Sequence, residues 1–278
     1  MSLEGKVAVV TGASRGAGRG IALALGEAGA TVYVTGRSTR ASPTRPDLAG
    51  TTIEETAEQV CERGGVGIAV QVDHTQDSQV AALFERVREE QGRIDILVNN
   101  AWGGYENYHP QSFDAPFWEQ PVERFDRMLL AGVRSSFVAS QHAARMMIKQ
   151  GKGLIVNTTL NVGVNDWNLD LHGLLVVPYE VSKTAINRMA FSMAHNLRTY
   201  NVAAVALAPD WMRTEEVMHS YPPKPEEYHL TESTQLIGRA VVALAADTNL
   251  INKTGRLLRT RDLALEYGFT DIDGRQPE

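Results

Sequence analysis

Tyr179 and Lys183 stand four residues apart in the run Pro178-Tyr179-Glu180-Val181-Ser182-Lys183, so on a helix they share one face. A phenol ordinarily ionises near pH ~10. An ammonium beside it favours the phenolate and suits the hydroxyl to give a proton to a carbonyl oxygen, or to remove one in the reverse direction. Many surface helices carry such a pair by chance, so a second constellation has to accompany it. That second constellation is Thr11-Gly12-Ala13-Ser14-Arg15-Gly16-Ala17-Gly18, which comes after the apolar run Val7-Ala8-Val9-Val10 and leads into Ile21-Ala22-Leu23-Ala24-Leu25. Strand, glycine turn and helix in succession let a backbone approach a pyrophosphate at a helix N-terminus, where unpaired N–H groups point outward. An ordinary strand-to-helix loop is the competing reading, and the context favours the nucleotide.

Composition bounds the rest. The chain has 278 residues, 27 basic against 33 acidic for a net charge of -6, and 43% hydrophobic residues. One domain spanning 1–278 is the expectation, since α/β folds of ~250 residues often form a single domain. The mildly acidic balance gives no support to nucleic acid or an anionic membrane as partner. Cys61 is the one cysteine, which excludes an internal disulfide and reads as a helix packing residue. The first strand begins within a few residues of Met1, with nothing resembling a signal peptide, and no apolar run approaches the ~20 residues of a membrane span. A cytoplasmic protein without a metal site is expected.

The elements that must position these groups can be read in chain order. Thr31 to Thr35 reads as a second strand, and the residues just after it bear on the cofactor. A site for NAD commonly places an acid at this strand end to take the ribose 2′-OH. Here the residues are Gly36-Arg37-Ser38, and no acid occurs between Thr31 and Pro46, whereas Arg37, Arg40 and Arg45 do. A guanidinium suits a 2′-phosphate, so Arg37, with Arg15 in the glycine loop, predicts NADP(H) in preference to NAD(H). Arg40 and Arg45 read as solvated loop charges. A loop from Ala41 to Gly50 leads to a helix over Thr52 to Arg63, opened by capping-box spacing between Thr52 and Glu55. A strand over Val66 to Val72 ends at Asp73. A helix covers Asp77 to Gln91 with Val80, Leu83, Phe84 and Val87 on one face. The strand Ile94 to Val98 then ends in Asn99-Asn100-Ala101.

The glycine spacing, Asp73, Asn99-Asn100-Ala101 and Tyr179-x-x-x-Lys183 together resemble the short-chain dehydrogenase/reductase family over essentially the whole chain. The segments Lys6 to Gly36 and Gly153 to Val156, with the tail Asp262-Leu263-Ala264 through Asp273-Gly274-Arg275, resemble its dehydrogenase/reductase member-1 branch. The resemblance implies an α/β fold of Rossmann type: a doubly wound parallel sheet of about seven strands with helices on both faces. It implies a cofactor held by Gly12, Ser14, Arg15, Gly16, Gly18, Arg37, Asp73, Asn99, Ala101, Pro209 and Thr214, with Tyr179 and Lys183. Lys183 would hold the nicotinamide ribose, and Asp73 would reach the adenine amino group, although a turn or capping aspartate fits the pattern equally.

The aromatic loop from Trp102 to Pro121 carries Trp102, Tyr105, Tyr108, Phe113, Phe117 and Trp118. It is either a ligand wall or an aromatic packing surface. Trp102 stands where the family has a glycine and is expected to narrow the approach to the nicotinamide. A long helix, Val122 to Lys149, implies by resemblance the main contact of a homodimer or homotetramer. Further departures fall near the chemistry. The family asparagine of that helix falls at Leu129. Thr159 matches the first residue of the usual serine pair and Leu160 the catalytic second, which leaves Thr159 or Asn161 to donate to the substrate oxygen. Pro209-Asp210 stands for proline-glycine. The stretch Leu160 to Val177 is longer than usual and carries Asp166, Trp167, Asp170 and His172.

After a strand over Val202 to Leu207, the segment Asp210 to Leu230 is expected to be a mobile lid. A helix from Glu232 to Ala246 and a short strand near Arg256-Leu257-Leu258 complete the sheet. The resulting expectation is an NADP(H)-dependent oxidoreductase interconverting a carbonyl and an alcohol, with Tyr179 as acid/base, Lys183 beside it and Thr159 as donor. The alternative is a catalytically impaired dinucleotide-binding protein acting as a sensor or interaction module.

Overall fold

The computed structural model describes residues 1–105, 113–161 and 176–276. Tyr108, Asp166, Trp167, Asp170 and His172 lie outside the described residues.

Strand β1 (Val7–Thr11) runs through the glycine turn into helix α1 (Gly16–Glu27), and β2 (Thr31–Gly36) comes next. Helix α2 (Ile53–Glu62) starts from the expected capping box: the Thr52 hydroxyl accepts from Glu55 N–H, and the Glu55 carboxylate accepts from Thr52 N–H. After it lie β3 (Val66–Gln71), α3 (Asp77–Gln91) and β4 (Ile96–Asn99). Helix α4 (Val122–Met128), a π-helical turn Leu129–Arg134 and α5 (Ser135–Gln150) form the run expected as one helix. They lead to β5 (Gly153–Thr158), α6 (Val177–Leu197) and β6 (Val202–Ala208).

The segment expected as a lid contains β7 (Trp211–Met212), α7 (Glu215–Ser220) and a 3-10 stretch Pro225–Leu230 before β8 (Thr231–Glu232). Glu232 therefore belongs to a strand rather than to the next helix. α8 (Thr234–Ala246) begins after Ser233, whose hydroxyl accepts from Gln235 N–H as an N-cap. β9 (Leu257–Arg259) and α9 (Thr260–Tyr267) close the order.

Seven strands form one parallel sheet in the order β3-β2-β1-β4-β5-β6-β9, and β7 with β8 form a separate pair. Strand side chains alternate between faces, and here both faces are apolar. Ala8, Val10, Val32, Val34 and Val98 pack with Ile21 and Leu25 of α1 and Val241 of α8. Val7, Val9, Tyr33 and Leu97 pack on the other face with Leu83 and Val87 of α3 and Met147 of α5. Helices on both faces explain why these strands read as continuous apolar runs. The strand order reverses between β1 and β4, and in such sheets ligands bind outside the carboxyl ends of the strands at that point.

Two expectations are corrected by packing. Cys61 is exposed rather than packed, and its Sγ accepts from Gly67 N–H at 3.2 Å. The helix over Val122 to Lys149 widens into the π turn, where Gly132 lies under the Trp102 ring. A Cβ at Gly132 would come within 2.5 Å of Trp102 Cζ3. Single π turns of this kind recur at functional sites. Among the described residues no helix is long and apolar enough to cross a membrane.

Candidate active site

At the carboxyl end of β1, Gly12 and Gly16 take φ of +64° and +59°, the left-handed region that a side chain resists. A methyl on Gly18 would run into Asn100 Nδ2 and the Gly12 carbonyl. Asn100 is the residue that holds this turn. Its Nδ2 donates to the Thr11 and Gly12 carbonyls at 3.1 and 3.0 Å, and the N–H groups of Asn100 and Ala101 both donate to Thr11 Oγ1 at 2.8 Å.

Asn99, expected at the cofactor, faces the sheet interior instead. Its Nδ2 donates to Ser140 Oγ at 2.8 Å and Asn157 Oδ1 at 2.9 Å, and it is buried. Strand alternation at the end of β4 sends the two asparagines to opposite sides, so the doublet itself was the signal for Asn100.

The first turn of α1 already holds an anion. Gly16 N–H donates to Glu215 Oε2 at 2.7 Å, and Arg19 Nη1 lies 3.5 Å from the other oxygen of that carboxylate. Glu215 thus stands in for a negatively charged ligand at the helix N-terminus, and the residues present there fit a pyrophosphate. Ser14 is buried in the same turn, and Arg15 Nη1 donates to Thr44 Oγ1 at 3.2 Å across its mouth. Thr214 caps α7 by accepting Val217 N–H at 3.1 Å, with its methyl against Gly16.

A second cluster of polar groups lies at the ends of β2 and β3. Burial pushes the Asp73 carboxyl up. The Thr75 N–H and hydroxyl, which donate to it at 2.9 and 2.7 Å, together with the Arg37 charge outweigh that and hold it below the usual range. In this geometry Asp73 makes the turn contact that the sequence left as one of two readings. His74, which no sequence pattern singled out, is fully enclosed, and its Nε2 lies 2.8 Å from Thr35 Oγ1. Thr35 gives its proton to the Val10 carbonyl at 3.1 Å, so Nε2 is the donor in that contact. Burial pulls the imidazole down to about 4, and it is neutral at physiological pH. Arg40 pairs with Glu58, and Arg45 with Asp47 and Glu216, which ties the loop after β2 to α7.

Tyr179 and Lys183 lie one turn apart on α6, Tyr179 half-buried and Lys183 buried. Lys183 Nζ sits 3.9 Å from the centroid of the Trp102 ring and 5.5 Å from that of Tyr179, and it donates to the Thr158 carbonyl at 3.4 Å. Burial pulls the Lys183 amine down to about 7. Burial likewise pushes the Tyr179 phenol up to about 12, against a hydrogen bond from Tyr105 that lowers it. With these groups alone the phenol moves opposite to the direction expected from Lys183, because burial dominates at both groups. Trp102 and Phe113 set their rings edge-on to Tyr179, with centroids at 5.5 and 5.9 Å. Phe117 and Trp118 pair with each other, exposed. The aromatic loop is therefore partly a wall around Tyr179 and partly surface.

Thr159 is not placed to donate to a substrate. Its hydroxyl lies 2.6 Å from Asn187 Oδ1 and 3.2 Å from the Lys183 carbonyl, and its single proton is committed toward α6. Asn161 is exposed, and Leu129 opens the π turn. Pro209 comes directly after the last residue of β6. Asp210, in the place of a glycine, is held by Arg261 Nε at 2.9 Å and Arg259 at 3.7 Å.

Residues 6–224 match the family described as short chain dehydrogenase. Dehydrogenase/reductase SDR family member 1 of Mus musculus is 40% identical over 285 residues, covering 98% of this chain and 85% of that protein. The 7alpha-hydroxysteroid dehydrogenase of Escherichia coli (strain K12) is 29% identical over 227 residues, covering 82% of this chain and 79% of that one. Among solved structures, a short chain dehydrogenase from Mycobacterium thermoresistibile superposes with a TM-score of 0.81 at 26% identity, covering 98% of this chain and 90% of that chain. Sheet order, glycine turn, tyrosine–lysine pair and these likenesses agree: the chain belongs to the short-chain dehydrogenase/reductase family, an oxidoreductase family, and resembles its member-1 branch.

Proposed function

We propose that this protein is an NADP(H)-dependent oxidoreductase that reduces a ketone or aldehyde to an alcohol, or runs the reverse reaction, with Tyr179 as the acid/base. The observation that carries this reading is the Tyr179–Lys183 pair on α6, its lysine buried and its tyrosine half-buried, in a protein whose glycine-turn helix N-terminus already binds a carboxylate. When bound, the nicotinamide supplies or accepts the hydride. Gly16 N–H and Arg19 would hold the pyrophosphate, and Arg15 and Arg37 would face the 2′-phosphate, with no acid at the end of β2 to oppose them. Lys183 would hold the nicotinamide ribose. Tyr179 Oη gives its proton to the carbonyl oxygen, and the Tyr105 hydrogen bond eases development of phenolate charge. The rings of Trp102, Phe113 and Tyr105 exclude water, which strengthens each electrostatic contact inside.

Relatives that act on hydroxysteroids and this aromatic wall support an apolar alcohol or ketone as substrate. Exposed Phe137 on α5 and Val181 and Phe191 on α6 support a homodimer or homotetramer built on these helices. The whole chain would act as one domain, with the segment 210–230 closing over substrate.

The test is NADPH consumption, with NADH in parallel, by purified protein across a panel of ketones and aldehydes, with Tyr179→Phe as the control. Turnover with NADPH that falls by ~10²-fold or more in the variant, at unchanged NADPH affinity, is the expected result. Tight NADPH binding without turnover on any carbonyl would favour a dinucleotide-binding sensor. Unchanged turnover in the variant would remove Tyr179 from its role.

A further inference from the structure

A carbonyl undergoing reduction accumulates negative charge on oxygen, and a fixed hydrogen-bond donor beside the proton source stabilises it. Near Tyr179 the obvious hydroxyl is taken, since Thr159 donates toward Asn187, and the next residue is Leu160. Another donor in this neighbourhood has no partner among the described residues. Trp102 Nε1 is buried, and none of their acceptors lies within hydrogen-bond reach of it. Buried indole N–H groups ordinarily find one.

The ring is held firmly. Its Cζ3 and Cε3 edge rests against Gly132 in the π turn, its face lies over Lys183, and it meets Tyr179 edge-on. In indole that edge lies across the ring from Nε1, so the N–H faces away from the helix that anchors it. A side chain any larger than hydrogen at residue 132 would push the ring out.

We propose that the Trp102 indole N–H is the hydrogen-bond donor to the substrate oxygen, working beside Tyr179 in place of a strand-end hydroxyl. The inference rests on the carbonyl-reductase reading above. As hydride reaches the carbonyl carbon, the C=O π pair moves onto oxygen and Tyr179 supplies the proton that completes the alcohol. Trp102 only hydrogen-bonds and transfers no proton. An indole N–H donates and does not accept, so this contact stabilises the oxygen in both directions of reaction without titrating. The neutral, apolar ring also keeps water from competing for the same oxygen.

Trp102→Phe tests this, because it keeps an aromatic face over Lys183 and Gly132 and deletes the N–H. Steady-state kinetics on the best ketone of the panel, NADPH titration and thermal melting are compared for wild type, Trp102→Phe and Tyr179→Phe. The expected result is a kcat lowered by ~10²-fold in Trp102→Phe, with KM, NADPH affinity and melting temperature close to wild type. A kcat within threefold of wild type overturns the proposal while leaving the reductase reading intact. So does a loss that tracks weakened NADPH binding or a lower melting temperature, which would mark a packing role. A wild type inert toward every carbonyl, with NADPH bound, overturns the reading on which the proposal rests and the proposal with it.

Discussion

Replacing Glu215 by glutamine should tighten the binding of NADPH. In the structure the Glu215 carboxylate accepts the Gly16 N–H at 2.7 Å and lies 3.5 Å from Arg19, on the helix terminus where a pyrophosphate would sit. A dinucleotide must therefore displace it. A hydrogen bond to a charged group contributes about 1.5–3 kcal/mol and a neutral one about 1 kcal/mol, so the substitution removes roughly 1 kcal/mol from what the cofactor has to displace. At 1.4 kcal/mol per tenfold, the dissociation constant should fall by about 5-fold. The Glu215 side chain retains 29% exposure, so part of this gain is screened and should shrink as salt rises. Calorimetric or fluorescence titration of NADPH at low and at physiological ionic strength reads both effects. Affinity that is unchanged or weaker in Glu215→Gln would refute the displacement argument, and weaker affinity would mean that Glu215 supports the bound state.

Two further substitutions test the frame around the site. Gly18→Ala pushes a methyl into the Gly12 carbonyl and into Asn100 Nδ2, which two hydrogen bonds keep from moving. Overpacking of this kind costs about 1–3 kcal/mol, so melting temperature should drop and NADPH binding weaken together; an unaltered melting curve would show that the turn can relax. Glu232→Gln probes the root of the segment 210–230. Burial, then the Asp210 charge, pushes the Glu232 carboxyl up to about 8, whereas the unfolded chain ionises it near ~4.3. Between those values the unfolded state has released a proton that the folded state keeps, so this group's contribution to stability is lost as pH rises toward 8. The variant should therefore melt higher than wild type, by at least about 3 °C at pH 8, with a smaller difference at pH 5. A difference independent of pH would refute the assignment.

What was legible in the sequence was local. The strand–glycine–helix unit, the capping box at Thr52 and the helix over Asp77–Gln91 each depend on residues a few positions apart, and they formed as read. The doubly wound seven-stranded sheet came from resemblance, and its strand order from the structure, because nothing in a strand's own residues says which neighbour it will pair with. The site is composed of long-range contacts that no local pattern carries. Glu215 meets Gly16 across 199 positions. Thr159 turns away from the site because Asn187 of α6 takes its hydroxyl.

The departures from the family pattern acquire a physical reading once they are placed together. Trp102 in the place of a glycine needs room, and Gly132 in a π turn beginning at Leu129 provides it. Asp210 in the place of another glycine is matched by Arg259 and Arg261. Trp102 and Asp210 thus each have a partner or a space made for them by residues distant in sequence. A chain that had simply lost its chemistry would have no reason to keep an indole N–H buried, without an acceptor among the described residues, beside Tyr179 and the buried Lys183. Such a donor costs free energy while it waits, and a substrate oxygen between it and Tyr179 is what would satisfy it.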